Sequence, residues 1–142
     1  MAHQGGCLCG AVRFEIGAEV TETGACHCGM CRKFSGGVYL GVEVPSDALT
    51  LTKTDGHASY KSSQWAERGF CKTCGSSLYY RVTAPGPQSG TWHVGLGALD
   101  DPSGIKMTGE IFIDKKPDGY TFAGETHKMT EAEVMAMFAP PS

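Results

Sequence analysis

The sequence predicts an all-β domain with short helical turns and one C-terminal helix. Three observations carry that prediction. Most apolar residues fall in short segments of alternating pattern, and Gly- and Pro-rich turn clusters separate those segments. Only one stretch holds a complete set of helix signals. With 142 residues, 41% of them hydrophobic, the chain has the length of one domain and enough apolar material for one core.

The elements follow in order. "AVRFEI" at 11–16 sets Val12, Phe14 and Ile16 against Arg13 and Glu15. An extended segment carries "CHC" at 26–28, and a helical turn follows through "GMCRKFSG", where its N-terminal dipole would favour a bound thiolate. "VYLGVEV" at 38–44 sets Val38, Leu40, Val42 and Val44 against Tyr39 and Glu43. "ALTLT", "SLYYRV", "TWHVGL" and "GEIFI" continue the pattern, separated by "VPSD", "KTDG" and "TAPGPQSG". In "TWHVGL", Trp92, Val94 and Leu96 share one face and His93 takes the other. "HKMTEAEVMAMFAPPS" predicts a helix with Thr130 as N-cap and Glu133 completing a capping box. Val134, Met137 and Phe138 would form its packing face, and "APP" would stop it. Residues 1–125 are expected to form the domain, and 126–142 a C-terminal helical extension.

The seven cysteines are spaced C-x-C (Cys7, Cys9), C-x-C-x-x-C (Cys26, Cys28, Cys31) and C-x-x-C (Cys71, Cys74). An odd count without a secretion signal argues against a disulfide framework. Close thiolate pairs suit tetrahedral zinc. "FCKTCGSSL" has the form of a knuckle: a strand delivers Cys71, and Gly75 frees the backbone so that amides approach the Cys74 sulfur. A knuckle supplies two ligands, and Cys7 and Cys9 supply two more, giving a closed structural site. Cys26, Cys28 and Cys31 are left as a trio, and three protein ligands with one exchangeable position is the pattern of a catalytic zinc. His27 is the alternative fourth ligand. In an extended C-x-C segment, however, its side chain points away from its neighbours', which suits a hydrogen bond or packing instead.

The formal charge of −3 and the scattered lysines and arginines exclude a basic stripe for nucleic acid. No apolar run is long enough to span a membrane, and "MAHQGGCLCG" has no leader pattern, so a cytoplasmic location is expected. His57 reads as a turn residue, and His93, His127 and His3 as surface or packed histidines. Arg13, Arg68 and Lys33 read as solvated surface, with carboxylate anchoring as the alternative.

The pattern "GGCLCGAVRFEI…CHCGMCRKFSGG…YKSS…RGFCKTCGSSLYYR…GALDDP" resembles the glutathione-dependent formaldehyde-activating enzyme family, which includes the centromere protein V relatives. The resemblance covers roughly residues 4–118 and all seven cysteines. It implies the Mss4-like fold of zinc-bound β-sheets (a β-tent) and two Zn²⁺ per chain. Cys7, Cys9, Cys71 and Cys74 match the structural ligands, and Cys26, Cys28 and Cys31 the catalytic ones. The activity it implies is carbon–sulfur lyase chemistry, glutathione and formaldehyde combining to S-(hydroxymethyl)glutathione. Glutathione would be the thiol co-substrate, and the partners a small thiol and an aldehyde. The alternative is a non-catalytic zinc-binding module with both metals structural, serving protein interaction. A methionine sulfoxide reductase-like activity would need a cysteine free of metal, and the zinc division leaves none. Two positions depart from the family pattern: Glu110 in "MTGEIF" stands where relatives carry histidine, and "KKPDGY" lacks their tryptophan.

Overall fold

A computed structural model describes residues 3–138, the Phe138 side chain excepted. Its strands are β1 (His3–Gly6), β2 (Arg13–Ile16), β3 (Glu22–Cys26), β4 (Tyr39–Val44), β5 (Leu49–Lys53), β6 (His57–Lys61), β7 (Ala66–Cys71), β8 (Ser77–Val82), β9 (Trp92–Gly95), β10 (Lys106–Ile111) and β11 (His127–Met129). The helices are α1 (Gly29–Ser35) and α2 (Glu131–Phe138), with 3₁₀ turns at Leu96–Ala98 and Ile113–Lys115. The mostly-β expectation holds. No helix among the described residues is long and apolar enough to cross a membrane.

The strands form two sheets, a small antiparallel one ordered β1-β2-β5 and a large one ordered β11-β10-β3-β4-β9-β8-β7-β6. In the large sheet β10 runs parallel to both β3 and β11, and the remaining pairs are antiparallel. Phe14 and Ile16 from the small sheet, with Val12 just ahead of β2, meet Val42, Val44, Leu78 and Val94 from the large one, and these fill the main core. At roughly 1.5–3 kcal/mol per fully buried aliphatic side chain, this layer is the main source of folding free energy. The alternation of 11–16 is therefore realised as read, and that of 91–96 over Trp92, His93 and Val94, while Leu96 begins a 3₁₀ turn.

Elsewhere the pattern misleads. Tyr39, assigned to the solvent face, is buried, and Leu40 is only half-buried. Tyr39 pairs with Cys26 and belongs to a second cluster on the other face of the sheet, with Cys31, Phe34, Tyr80, Ile111 and Phe112. Both faces of β4 are covered at that end, so alternation no longer separates inside from outside. His57 is a strand residue of β6, its Nε2 2.7 Å from the Tyr79 hydroxyl oxygen.

Residues 127–129, ahead of the N-cap, form β11, because pairing to β10 satisfies their backbone groups. The capping box stands: the Thr130 amide donates to Glu133 Oε1 (3.0 Å) and the Glu133 amide to Thr130 Oγ1 (3.2 Å). Val134 is buried, but Met137 is exposed, so the packing face is narrower than expected. The Phe138 side chain and the stop signal at 139–141 lie outside the described residues.

Candidate metal centres

The seven cysteines gather into two groups. The sulfurs of Cys7, Cys9, Cys71 and Cys74 lie within 4.8 Å of one another, as do those of Cys26, Cys28 and Cys31.

The first group joins the β1–β2 turn to the β7–β8 turn. Cys7 and Cys9 sulfurs are 3.7 Å apart, and Cys9 and Cys71 sulfurs 3.8 Å. Four sulfurs at the usual Zn–S distance sit about 3.8 Å apart on the edges of a tetrahedron, so this donor set fits zinc. The backbone turns toward the sulfurs: the Val12 amide donates to Cys7 Sγ (3.2 Å) and the Cys74 amide to Cys71 Sγ (3.4 Å). Gly75 takes φ +82°, and its amide closes the turn onto the Cys71 carbonyl at 2.8 Å. The hydroxyl and amide of Ser76 hold the Cys74 thiol down to about 5. A Cβ on Gly56 would stand 2.7 Å from Cys71 Sγ and 2.9 Å from Ala11 Cβ. If this group holds a metal, Gly56→Ala is therefore expected to weaken its retention about tenfold or more, measured by competition with a chromophoric chelator.

The second group is built by β3 and α1. Cys26 ends β3, Cys28 is the N-cap of α1, and Cys31 lies in its first turn. The Cys31 amide donates to Cys28 Sγ at 3.3 Å, the bond an N-cap side chain normally accepts. Cys26 and Cys28 sulfurs are 3.4 Å apart. Hydrogen bonds from Cys26 and Cys31 hold Cys28 down to about 2, while those same contacts with Cys28 and Cys31, and then burial, drive Cys26 far above the ordinary thiol range. One thiolate is held at the expense of its neighbours, so full ionisation of the trio requires a cation. That is the chemistry of a soft metal site.

His27, between two of these cysteines, is 1% exposed and turned away. Its Nε2 donates to Glu110 Oε1 at 2.9 Å, and its Nδ1 is 2.6 Å from the Tyr120 hydroxyl oxygen. Both ring nitrogens are thus committed to partners other than the sulfurs. Glu110 is itself buried, accepts a hydrogen bond from the Thr126 hydroxyl, and lies 3.8 Å from Lys128 Nζ. Burial pushes the Glu110 carboxyl up, but hydrogen bonds from Thr126 and His27, with the charges of His27 and Lys128, hold it below its ordinary value.

Arg68 is a correction to the sequence reading. It is buried, not solvated, with both terminal nitrogens 3.6 Å from Cys31 Sγ. Arg13 pairs with Asp100, so its carboxylate partner is internal, and Lys33 is exposed on α1. His93 is half-buried and stacks on Tyr80 with centroids 4.3 Å apart, and burial pushes it down to about 4. A groove of about 740 Å³ opens beside Cys26, lined among others by Tyr39, Tyr80, His93, Gly109 and Ile111.

Residues 2–115 match the model of the family described as glutathione-dependent formaldehyde-activating enzyme. The chain belongs to that family. An uncharacterized lyase of Schizosaccharomyces pombe is 29% identical over 133 residues, covering 94% of each chain. A provisionally named glutathione-dependent formaldehyde-activating enzyme of Halomonas elongata is 33% identical over 87 residues, 56% of this chain and 55% of the relative. One of Podospora anserina, also provisionally named, is 36% identical over 86 residues, 57% of this chain and 40% of the relative. A Rhodobacter sphaeroides protein of known crystal structure shares the fold, with TM-score 0.57 and 20% identity over 74% of this chain and 99% of that one.

Within this family member, sequence reasoning misplaced Arg68 and missed Tyr120 and Thr126. For Arg68 a signal existed. It precedes core-facing Cys71 by three residues, so alternation along β7 sends it to the opposite face, where the trio lies. For Tyr120 and Thr126 no local signal exists.

Proposed function

We propose that the chain is a zinc-dependent carbon–sulfur lyase-type enzyme that joins glutathione and formaldehyde to S-(hydroxymethyl)glutathione. The observation that carries the reading is a trio of sulfurs whose one adjacent candidate ligand, His27, is bonded elsewhere through both nitrogens. Two Zn²⁺ per chain are proposed, held by Cys7, Cys9, Cys71 and Cys74 and by Cys26, Cys28 and Cys31.

Zinc at the trio would supply the positive charge that keeps a coordinating thiol deprotonated. The chain's own residues do the rest. Cys26, Cys28 and Cys31 present three donors from a short, capped segment, which limits rearrangement. Phe34, Tyr39 and Tyr80 wall the sulfurs and keep water from one side. The groove beside Cys26 offers room for the substrates. In the reaction the glutathione sulfur forms a bond to the formaldehyde carbon. The carbonyl π electrons move to oxygen, and the thiol proton ends there, so atoms and charge balance.

The test follows adduct formation by exchange NMR, since the uncatalysed reaction also proceeds. Zinc-loaded protein should accelerate exchange, and Cys28→Ser should remove the acceleration. Two tightly held zincs and no acceleration by the parent protein would sink the proposal in favour of a zinc-stabilised module serving protein interaction.

A further inference from the structure

Arg68 is the only buried arginine or lysine among the described residues. Its Nε donates to Ser62 Oγ at 3.2 Å, and both terminal nitrogens face Cys31 Sγ. The guanidinium carbon lies 5.2 Å from the ring centroids of both Phe34 and Tyr80, which fix its plane. No ion pair to a carboxylate is made by Arg68 among the described residues. A buried charge without a counter-charge is costly, so the thiolates of the trio must supply it.

We propose that Arg68 is a specificity-determining residue that makes the three-sulfur site prefer an anionic thiolate over a neutral ligand. The proposal rests on the open three-cysteine reading above. Three thiolates with one divalent ion carry one net negative charge, and an incoming thiolate would raise that to two in a poorly solvated place. A fixed guanidinium against Cys31 offsets the added charge. A neutral ligand brings no charge and gains nothing from it. The position of Arg68 against a cysteine sulfur, rather than in open solvent, separates this role from that of an anchor for glutathione carboxylates.

The test uses full-length protein loaded with Co²⁺ and follows the visible absorption on titration with 2-mercaptoethanol, which has no carboxylate, and with imidazole. Arg68→Met is expected to bind 2-mercaptoethanol about tenfold or more weakly than the parent while binding imidazole within about twofold. Arg68→Lys keeps the charge, so its thiol-to-imidazole preference should stay within about threefold of the parent, which keeps the test open if the methionine variant does not fold. Equal weakening toward both ligands, no weakening in Arg68→Met, or loss of the preference in a folded Arg68→Lys would overturn the proposal. If neither ligand alters the parent spectrum, the site has no exchangeable position, and it is the underlying enzyme reading that fails.

Discussion

Replacing Cys71 with serine is expected to unfold the chain, whereas replacing Cys28 with serine is expected to leave it folded. Cys71 is fully buried, ends β7 and faces the main core. With Cys7, Cys9 and Cys74 it ties the two sheets together at their turns. At a structural zinc, metal-binding free energy is folding free energy, about 10–16 kcal/mol, against a total stability of about 5–15 kcal/mol for a domain. If zinc is held there as proposed, losing one of its four ligands removes most of the margin. Cys28 is half-buried and caps α1 through its sulfur. Serine is among the best N-cap residues, so the substitution preserves the helix start while removing one donor from the trio. On the zinc reading, Cys28→Ser should keep one metal per chain and melt within a few degrees of the parent, whereas Cys71→Ser should show no cooperative transition. Thermal melting by circular dichroism with a zinc count on the same samples checks both, and equal instability of the two variants would contradict an open trio.

How far the sequence could be read depended on whether the needed contacts were local. The C-x-C and C-x-x-C spacings, the helical turn after Cys28 and the Thr130–Glu133 box are each settled within a few residues, and each appears in the structure. The strand at 127–129 is not. "HKM" has no strand pattern of its own and extends only because β10 offers an edge. Tyr39 was misassigned because a second buried cluster on the outer face of the sheet has no period-2 signature. His27 turns from the cysteine sulfurs as expected, but its partners Glu110 and Tyr120 are 83 and 93 residues away. The parallel register of β10 against β3, which sets Glu110 beside Ala25, brings Glu110 to His27. The family pattern flagged position 110 as a departure without saying what a carboxylate there would contact.

Glu110→Ala is expected to destabilise the chain by about 3 kcal/mol, and Glu110→Gln by about 1 kcal/mol. The carboxylate sits where β3, β10 and the C-terminal segment converge, contacting His27, Thr126 and Lys128 at once. Truncation leaves the His27 Nε2 donor and the Thr126 hydroxyl without their acceptor in a buried place, which costs their desolvation as well as the lost bonds. The amide of Gln keeps one acceptor oxygen for one of the two donors, so it loses less. The contribution also depends on pH. Although burial pushes the Glu110 carboxyl up, its hydrogen bonds and neighbouring charges hold it below the unfolded value. The stability it contributes is therefore present above the unfolded carboxylate pKa and lost as pH falls through the folded one. Urea unfolding of parent and Glu110→Gln should show a gap at pH 7 that narrows with acid. A gap that stays constant from neutral pH into the carboxylate range would mean that the ionised carboxylate is not what His27 and Thr126 require.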